Sequence, residues 1–343
     1  MSEKSCSIVA FVSGKGGVGK TLLSVNFARY LAKNNITTVL LDLDLLNRGA
    51  TALLQTSVRE NEPTVEKLVI SGYKQEPLEL REVGGFHFLP SSQTGRIVDW
   101  KKLPSDSEHW RDVLKSIING IIEKYRPQVV ILDSEVGPHA LSISIAGLAD
   151  STIIVSEADP VTWDGTLNYR SYLINAYGEE RKFLFLLNKV PEKFNFKQLD
   201  QYYNNQISNL LRNLKIISFI PFEYEVFESF GEYRFVVDSL PKSVFSSKIR
   251  LLANDLLKEQ LPQITTPDLE RDHDIIARRI KSPVSIFAAR YQIMGWVLLL
   301  AGVVAIIFGT NARVLFENPI LAIGFVYALI GVVILIYGYF RKR

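Results

Sequence analysis

One glycine-rich run near the N-terminus restricts the fold more than any other feature of this chain. Ser13-Gly14-Lys15-Gly16-Gly17-Val18-Gly19-Lys20-Thr21 follows a short apolar run, residues 7–12, and opens an amphipathic helical pattern. Glycine, four residues, glycine, lysine and threonine between a buried strand and a helix form a phosphate-binding loop. Glycines let successive backbone N–H groups converge on an anion, and the helix N-terminus adds partial positive charge. Lys20 is placed to reach the β- and γ-phosphates, and the Thr21 hydroxyl to ligate Mg²⁺. Gly14, Lys15, Gly16, Gly17, Val18, Gly19, Lys20, Thr21 and Leu22 are therefore the candidate nucleotide contacts.

Such a loop needs a parallel sheet behind it, and the pattern up to about residue 261 supplies one. Short β-rich runs at 8–12, 38–42, 86–89, 128–133, 152–156, 183–188 and 216–220 alternate with helical stretches. Several of these runs are nearly continuously apolar, as strands buried on both faces are. Trp110, Val113, Leu114, Ile117, Ile118, Ile121 and Ile122, spaced three and four apart, mark one core-facing helix. A last helix over 243–261 ends where Pro262 and Pro267 interrupt the pattern. The expected fold is a doubly wound, mostly parallel α/β sheet over residues 1–262.

Beyond it the composition changes. Residues 263–290 form a charged connector, broken by Pro283, and residues 291–310 and 319–340 carry no charged side chain. A helix of about 20 apolar residues spans the ~30 Å hydrocarbon core, so the two runs are expected to form a transmembrane hairpin. Arg271, Arg278, Arg279, Lys281 and Arg290 precede it, and the tail 341–343 is Arg-Lys-Arg. The positive-inside rule puts both flanks, with the first domain, in the cytoplasm. The expected location is a cell membrane crossed twice, with the lipid bilayer as a permanent partner.

Other features exclude more than they suggest. The formal net charge of +3 is modest for 343 residues, so nucleic acid is not indicated as a partner. Cys6 is the single cysteine, which rules out an intramolecular disulfide. His87, His109, His139 and His273 have no ligand spacing among themselves or with Cys6. No signal peptide precedes the first strand, so the chain is expected to begin with its catalytic domain.

Lys15 makes the loop more specific. The run Lys15 to Thr21 resembles the deviant Walker A signature of the MinD/ParA/nitrogenase-iron-protein family, Lys-Gly-Gly-x-Gly-Lys-Thr. The resemblance continues through Ser24-Val25-Asn26-Phe27-Ala28 and through Leu41-Asp42-Leu43-Asp44 followed by Arg48. Val129-Val130-Ile131-Leu132-Asp133 is similar to the family's Walker B strand, and Phe185-Leu186-Leu187-Asn188-Lys189-Val190 and Ile220-Pro221-Phe222-Glu223 to its base-contacting segments. The family's proline pair after the Walker B aspartate is missing: this chain reads Asp133-Ser134-Glu135-Val136-Gly137-Pro138.

What the resemblance implies is specific. The P-loop ATPase domain would bind ATP with Mg²⁺ and hydrolyse it slowly or on partner stimulation. Lys15, Lys20 and Asp44 would be catalytic, Lys15 acting across a nucleotide-dependent homodimer. Thr21, Asp44 and Asp133 would hold Mg²⁺, partly through water, with Asp42 in support. Gly137 would contact the γ-phosphate, and Asn188, Lys189, Pro221 and Glu223 the base. Residue 191 is proline, which removes the guanine-specific pattern and favours ATP.

Three functional classes fit such a site. The first is a membrane-anchored MinD/ParA-like switch that positions or recruits an unidentified protein partner. The second is a membrane-protein targeting or transport ATPase of the arsenite-pump or tail-anchored-protein-delivery type. That branch uses a methionine-rich groove, and the only methionines here are Met1 and Met294. The third is a tyrosine autokinase, in which membrane segments come before the catalytic domain, the reverse of the order here.

Overall fold

Strand alternation determines the two layers of this molecule. The computed structural model describes residues 5–55, 57–73, 78–93, 98–181, 183–191, 214–232 and 234–264. The chain divides into two units, Met1–His273 and Asp274–Arg343, and every described residue lies in the first. The expected membrane runs at 291–310 and 319–340, most of the connector and the basic tail lie outside the described residues. Among the described residues no helix is long and apolar enough to cross a membrane.

In chain order the elements are β1 (Ser7–Ser13), α1 (Lys20–Lys33), β2 (Thr38–Leu43), α2 (Gly49–Leu53), α3 (Val65–Ile70), β3 (Arg81–Val83) and β4 (Phe86–Leu89). Then come α4 (Ser107–Tyr125), β5 (Val129–Val136), α5 (Ala140–Leu148), β6 (Ser151–Glu157), α6 (Pro160–Tyr177) and β7 (Phe183–Val190). The last are β8 (Leu214–Pro221), α7 (Tyr224–Gly231), α8 (Val236–Ser239) and α9 (Val244–Gln260). The eight strands are ordered β3-β4-β2-β5-β1-β6-β7-β8, and all neighbours are parallel except β3 and β4. The sheet is thus the mostly parallel one expected, with β1 near its centre and the winding direction reversing there. In such sheets the crevice beyond the carboxyl ends of the strands at that reversal is where ligands bind.

Alternate residues of each strand feed opposite cores. Val9, Phe11, Leu40, Phe88, Ile131 and Ile153 pack with α1, α2, α8 and α9 on one face. Ala10, Val12, Leu41, Leu132, Ile154 and Phe185 pack with α3, α4, α5 and α6 on the other. The stripe read on α4 behaves as its spacing requires: Trp110, Leu114, Ile117, Ile118 and Ile121 are buried, with Val113 and Ile122 at the margin. Asp106 caps that helix by accepting the His109 N–H at 2.8 Å, as Asp159 caps α6 and Ser243 caps α9.

Two elements differ from the sequence reading. β3 was not expected: it is three residues of Arg-Glu-Val joined to β4 by Gly84-Gly85, too short and too polar for periodicity to register. β5 runs through Val136 rather than ending at Asp133. Proline cannot donate to a ladder, and without the proline pair the strand continues until Val136 lies opposite Ser13 of β1.

Ile131 lies on β5, between β1 and β2, with no exposed surface. Ile131→Ala should therefore cost about 2–5 kcal/mol of stability, measured as a lower urea midpoint at unchanged slope.

Candidate functional site at the carboxyl edge of the sheet

The phosphate loop leaves the end of β1 and is held by backbone contact on one side. A Cβ at Gly14 would stand 2.0 Å from the Gly165 carbonyl oxygen of α6, so loop and helix touch main chain to main chain. Gly19, at φ +93°, caps α1, and a Cβ there would fall 2.4 Å from the Asn188 amide nitrogen. That amide donates to the Val18 carbonyl at 2.9 Å, and Asn188 is buried. Lys189 donates to the Gly17 carbonyl and pairs with Glu157 of β6 at 2.8 Å. The ends of β6 and β7 thus hold the loop from the side, through residues chosen for hydrogen bonding rather than bulk.

The charged groups gather beneath the loop. Lys20 is only 6% exposed; burial lowers its pKa, while Asp133, Asp44 and Glu135 pull it back up. Asp133 has no exposed surface and accepts the Thr21 hydroxyl at 2.8 Å. Its second oxygen, Oδ1, is buried without a hydrogen-bond partner. Burial pushes the Asp133 carboxyl up to about 6 against the opposing pull of Lys20 and the Thr21 bond. Glu135 is carried up to about 7 by burial and by the charge of Asp44.

Asp44 lines the cavity and accepts the Asn47 backbone N–H at 2.9 Å and its side-chain amide at 3.1 Å. Asp42 is not on the cavity wall. It accepts the Thr51 N–H and hydroxyl, each at 2.7 Å, and the Asp44 N–H at 3.1 Å. Burial and the neighbouring Asp133 outweigh those bonds and carry its carboxyl to about 7. Lys15 is exposed, and its carbonyl accepts the Ser13 hydroxyl at 2.8 Å.

The cavity has a volume of about 490 Å³, within the range of small-molecule sites. Gly16, Gly17, Gly19, Lys20, Thr21 and Asp44 line it, together with the apolar side chains of Pro221, Phe222, Val226, Phe227, Phe230 and Phe245. Leu22, Asn188, Lys189 and Glu223 also line it.

Two expected contacts are engaged elsewhere in this structure. The Gly137 N–H donates to the Ser13 carbonyl at 2.9 Å, closing the β5 extension, and Gly137 does not line the cavity. The Glu223 carboxylate accepts the N–H groups of Val244 and Phe245 at 3.2 and 2.7 Å, capping α9. Asn47, Val136, Phe227, Phe230 and Phe245 on the wall, and Glu157 and Gly165 behind the loop, were not anticipated. A glycine inside a helical pattern, as at 165, was a legible signal of close backbone approach.

The oxygens of Thr21 and Asp133 are hard donors, and the orphaned Asp133 Oδ1 needs a partner, so these residues fit Mg²⁺. Among the described residues no group of three or more metal-ligating side chains stands together.

Comparison with known proteins points the same way. Residues 9–234 match the CobQ/CobB/MinD/ParA nucleotide binding domain. The chromosome-partitioning ATPase Soj of Thermus thermophilus is 29% identical over 161 residues, which is 46% of this chain and 57% of Soj. The chain thus spans little more than half the length of that relative. The MinD septum site-determining protein of Pyrococcus horikoshii, complexed with Mg-ADP, superposes with a TM-score of 0.58 at 19% identity, covering 76% of this chain and 99% of that one. A chain of the MinC:MinD cell division protein complex of Aquifex aeolicus gives 0.56 at 20%, covering 76% of this chain and 100% of that one. At such identity the likeness establishes the fold.

Asp42, Asp133 and Glu135 all bind protons more tightly when folded than when unfolded. Their contribution to stability is complete below the ordinary carboxylate range and is lost as pH rises through about 6 to 7. The melting temperature of the nucleotide-free protein should fall between about pH 5 and about pH 8, and Asp42→Asn should flatten that fall.

Proposed function

This chain belongs to the CobQ/CobB/MinD/ParA nucleotide binding domain family, and from that premise we propose that it is a membrane-anchored ATPase switch. Members of the MinD/ParA branch are nucleotide-binding ATPases. The observation that carries the reading is the buried pair Lys20 and Asp133, with half-buried Thr21 bonded to Asp133 and one carboxylate oxygen unpartnered beneath a glycine loop. A buried cation and an orphaned oxygen are costly unless a ligand satisfies them, and Mg-ATP does so for both.

The roles follow from placement. Backbone N–H groups of Gly16 to Leu22 surround the phosphates, and Lys20 neutralises charge on the β- and γ-phosphates of its own protomer. Thr21 and Asp133 would hold Mg²⁺, which when bound would offset negative charge on the phosphate oxygens. Asp44, fixed by Asn47, orients the attacking water from the cavity wall. Lys15, exposed at the rim, reaches the nucleotide of a second copy, so hydrolysis requires a dimer that encloses two ATP molecules. The exchange between that dimer and separate protomers recruits and releases a protein partner. Asn188, Lys189 and Pro221 remain beside the base, whereas the carboxylate of Glu223 serves α9.

Residues 291–310 and 319–340 hold the protein in the cell membrane as a two-helix hairpin, with the ATPase domain and the C-terminus in the cytoplasm. Two spanning helices do not leave a bilayer on the timescale of a nucleotide cycle, so ATP controls pairing and partner engagement rather than membrane residence.

Two experiments test this. In calorimetric titration Lys20→Ala should abolish ATP binding, whereas Lys15→Ala should bind ATP yet lose hydrolysis and dimerisation. Equal loss of binding in both variants would sink the cross-protomer assignment. In isolated membranes the full-length protein should resist alkaline carbonate in ATP and in ADP alike. Release on ATP depletion would overturn the hairpin.

A further inference from the structure

The turn after β2 carries one side chain that no motif singled out. Asn47 is exposed, lines the cavity, and stands three residues after Asp44. Asp44 itself is only 6% exposed. Asn47 engages its carboxylate with two different groups. The Asn47 backbone N–H donates to Oδ1 at 2.9 Å, and the side-chain amide donates to Oδ1 at 3.2 Å and to Oδ2 at 3.1 Å. Among the described residues no other donor bonds this carboxylate, and Lys20 is coupled to it through charge.

The two groups are not equally committed. The backbone N–H belongs to a turn closed by the Arg48 N–H on the Asp44 carbonyl at 2.8 Å, and the Arg48 guanidinium holds the Gln93 carbonyl at 3.1 Å. The amide hangs from an exposed side chain, where water can replace its bonds at little net cost. A carboxylate offers about four acceptor sites. Three are taken here, and the amide lies across both oxygens. Orienting a water takes one site, and facing a bound Mg²⁺ through water would take another, so Asp44 cannot serve both while the amide stays. The far end of the turn reaches the metal side of the cavity: a Cβ on Gly49 would stand 2.7 Å from the Thr21 hydroxyl oxygen. Arg48, at φ +54°, holds the left-handed backbone that side chains disfavour, so the turn is closed under strain.

We infer that the Asn47 side-chain amide is a latch on Asp44, which occupies the carboxylate in the nucleotide-free protein and must leave before Asp44 can orient water. This concerns the regulation of the ATPase site and rests on the ATPase reading. The backbone N–H of Asn47 keeps Asp44 in place throughout, so releasing the amide frees acceptor sites without freeing the residue. A latch of this kind slows resting hydrolysis at a step after nucleotide binding. It opens most readily when a ligand at Thr21 bears on Gly49, at the other end of the same short turn.

The test separates the amide from the backbone. Asn47→Ala removes the first and keeps the second at an exposed position, with thermal melts as the check on folding. Full-length protein, wild type and variant, is assayed for turnover of Mg-ATP and titrated calorimetrically with ADP, with and without Mg²⁺. The variant should raise kcat about fivefold or more without raising the KM for Mg-ATP. Its affinity for ADP should rise about fivefold with Mg²⁺ present and stay within about twofold without it. In an Asp44→Ala background the same substitution should change Mg-ADP binding by less than about twofold, because the latch has nothing left to hold. A full effect there would overturn the inference by placing the amide's action elsewhere. A fall in kcat would overturn it by making the amide a productive support of Asp44, and an unchanged kcat would overturn it as well. So would an equal gain in ADP affinity with and without Mg²⁺, the mark of a general loosening of the cavity. If wild-type protein binds neither ATP nor ADP, the ATPase reading itself fails and the latch falls with it.

Discussion

A lysine ammonium that is nearly sealed from water is the constraint around which this site is built. Burying an unpaired cation costs several kcal/mol, so Lys20 can occupy its position only with counter-charges nearby. Asp133 and Glu135 supply them from the end of β5 and Asp44 from the turn after β2. Those carboxylates also repel one another, and each is expensive to bury alone. The balance holds because strand register fixes all of them: Asp42 lies opposite Asp133, and β1, which feeds the loop, lies on the other side of β5. The sheet is what keeps mutually unfavourable groups at a spacing where a single cation, and then a nucleotide with its metal, can reconcile them.

The glycine loop is not self-supporting either. Its curvature exposes carbonyls that no helix or ladder satisfies, and the neighbouring strand ends take them up: Asn188 takes that of Val18, and Lys189 that of Gly17. Glu157 fixes the lysine, and Gly165 allows α6 to approach Gly14 without a side chain between them. Each of these residues comes from a different part of the chain. A substitution far from the phosphates in sequence can therefore reshape the loop, and the pair Asn188-Lys189 has a structural duty in addition to any contact with a base.

What could be read from sequence divides along physical lines. The loop, seven of the eight strands and the helix stripe of α4 were legible because each is written in local periodicity or in a motif whose chemistry tolerates few residue types. β3 was not, being three residues held by a glycine turn and by its partner. The extension of β5 was hidden for a related reason: the missing proline pair announced a departure, but only the partner strand decides where pairing stops. Glu223 was read as a base contact because it stands in the right segment. It lines the cavity, and its carboxylate also accepts two N–H groups of α9, about twenty residues further on, a contact that leaves no trace in spacing. The aromatic wall escaped notice because Phe227 and Phe230 at helical spacing look like an ordinary core stripe until their exposure is known.

The extension of β5 also changes what the second switch must do. With prolines after Asp133 the chain would leave the sheet there, and its glycine N–H would be free for a phosphate. Here Val136 pairs with the end of β1, and the Gly137 N–H is already bonded to Ser13 at 2.9 Å. Drawing that N–H to a γ-phosphate means breaking a backbone bond worth about 1 kcal/mol net. A bond to a phosphate oxygen is charge-assisted and roughly twice as strong, so the exchange is favourable but only slightly. Glu135 lies next to the same segment and is half-buried near Asp44, so an incoming triphosphate meets it as an added repulsion unless it is protonated.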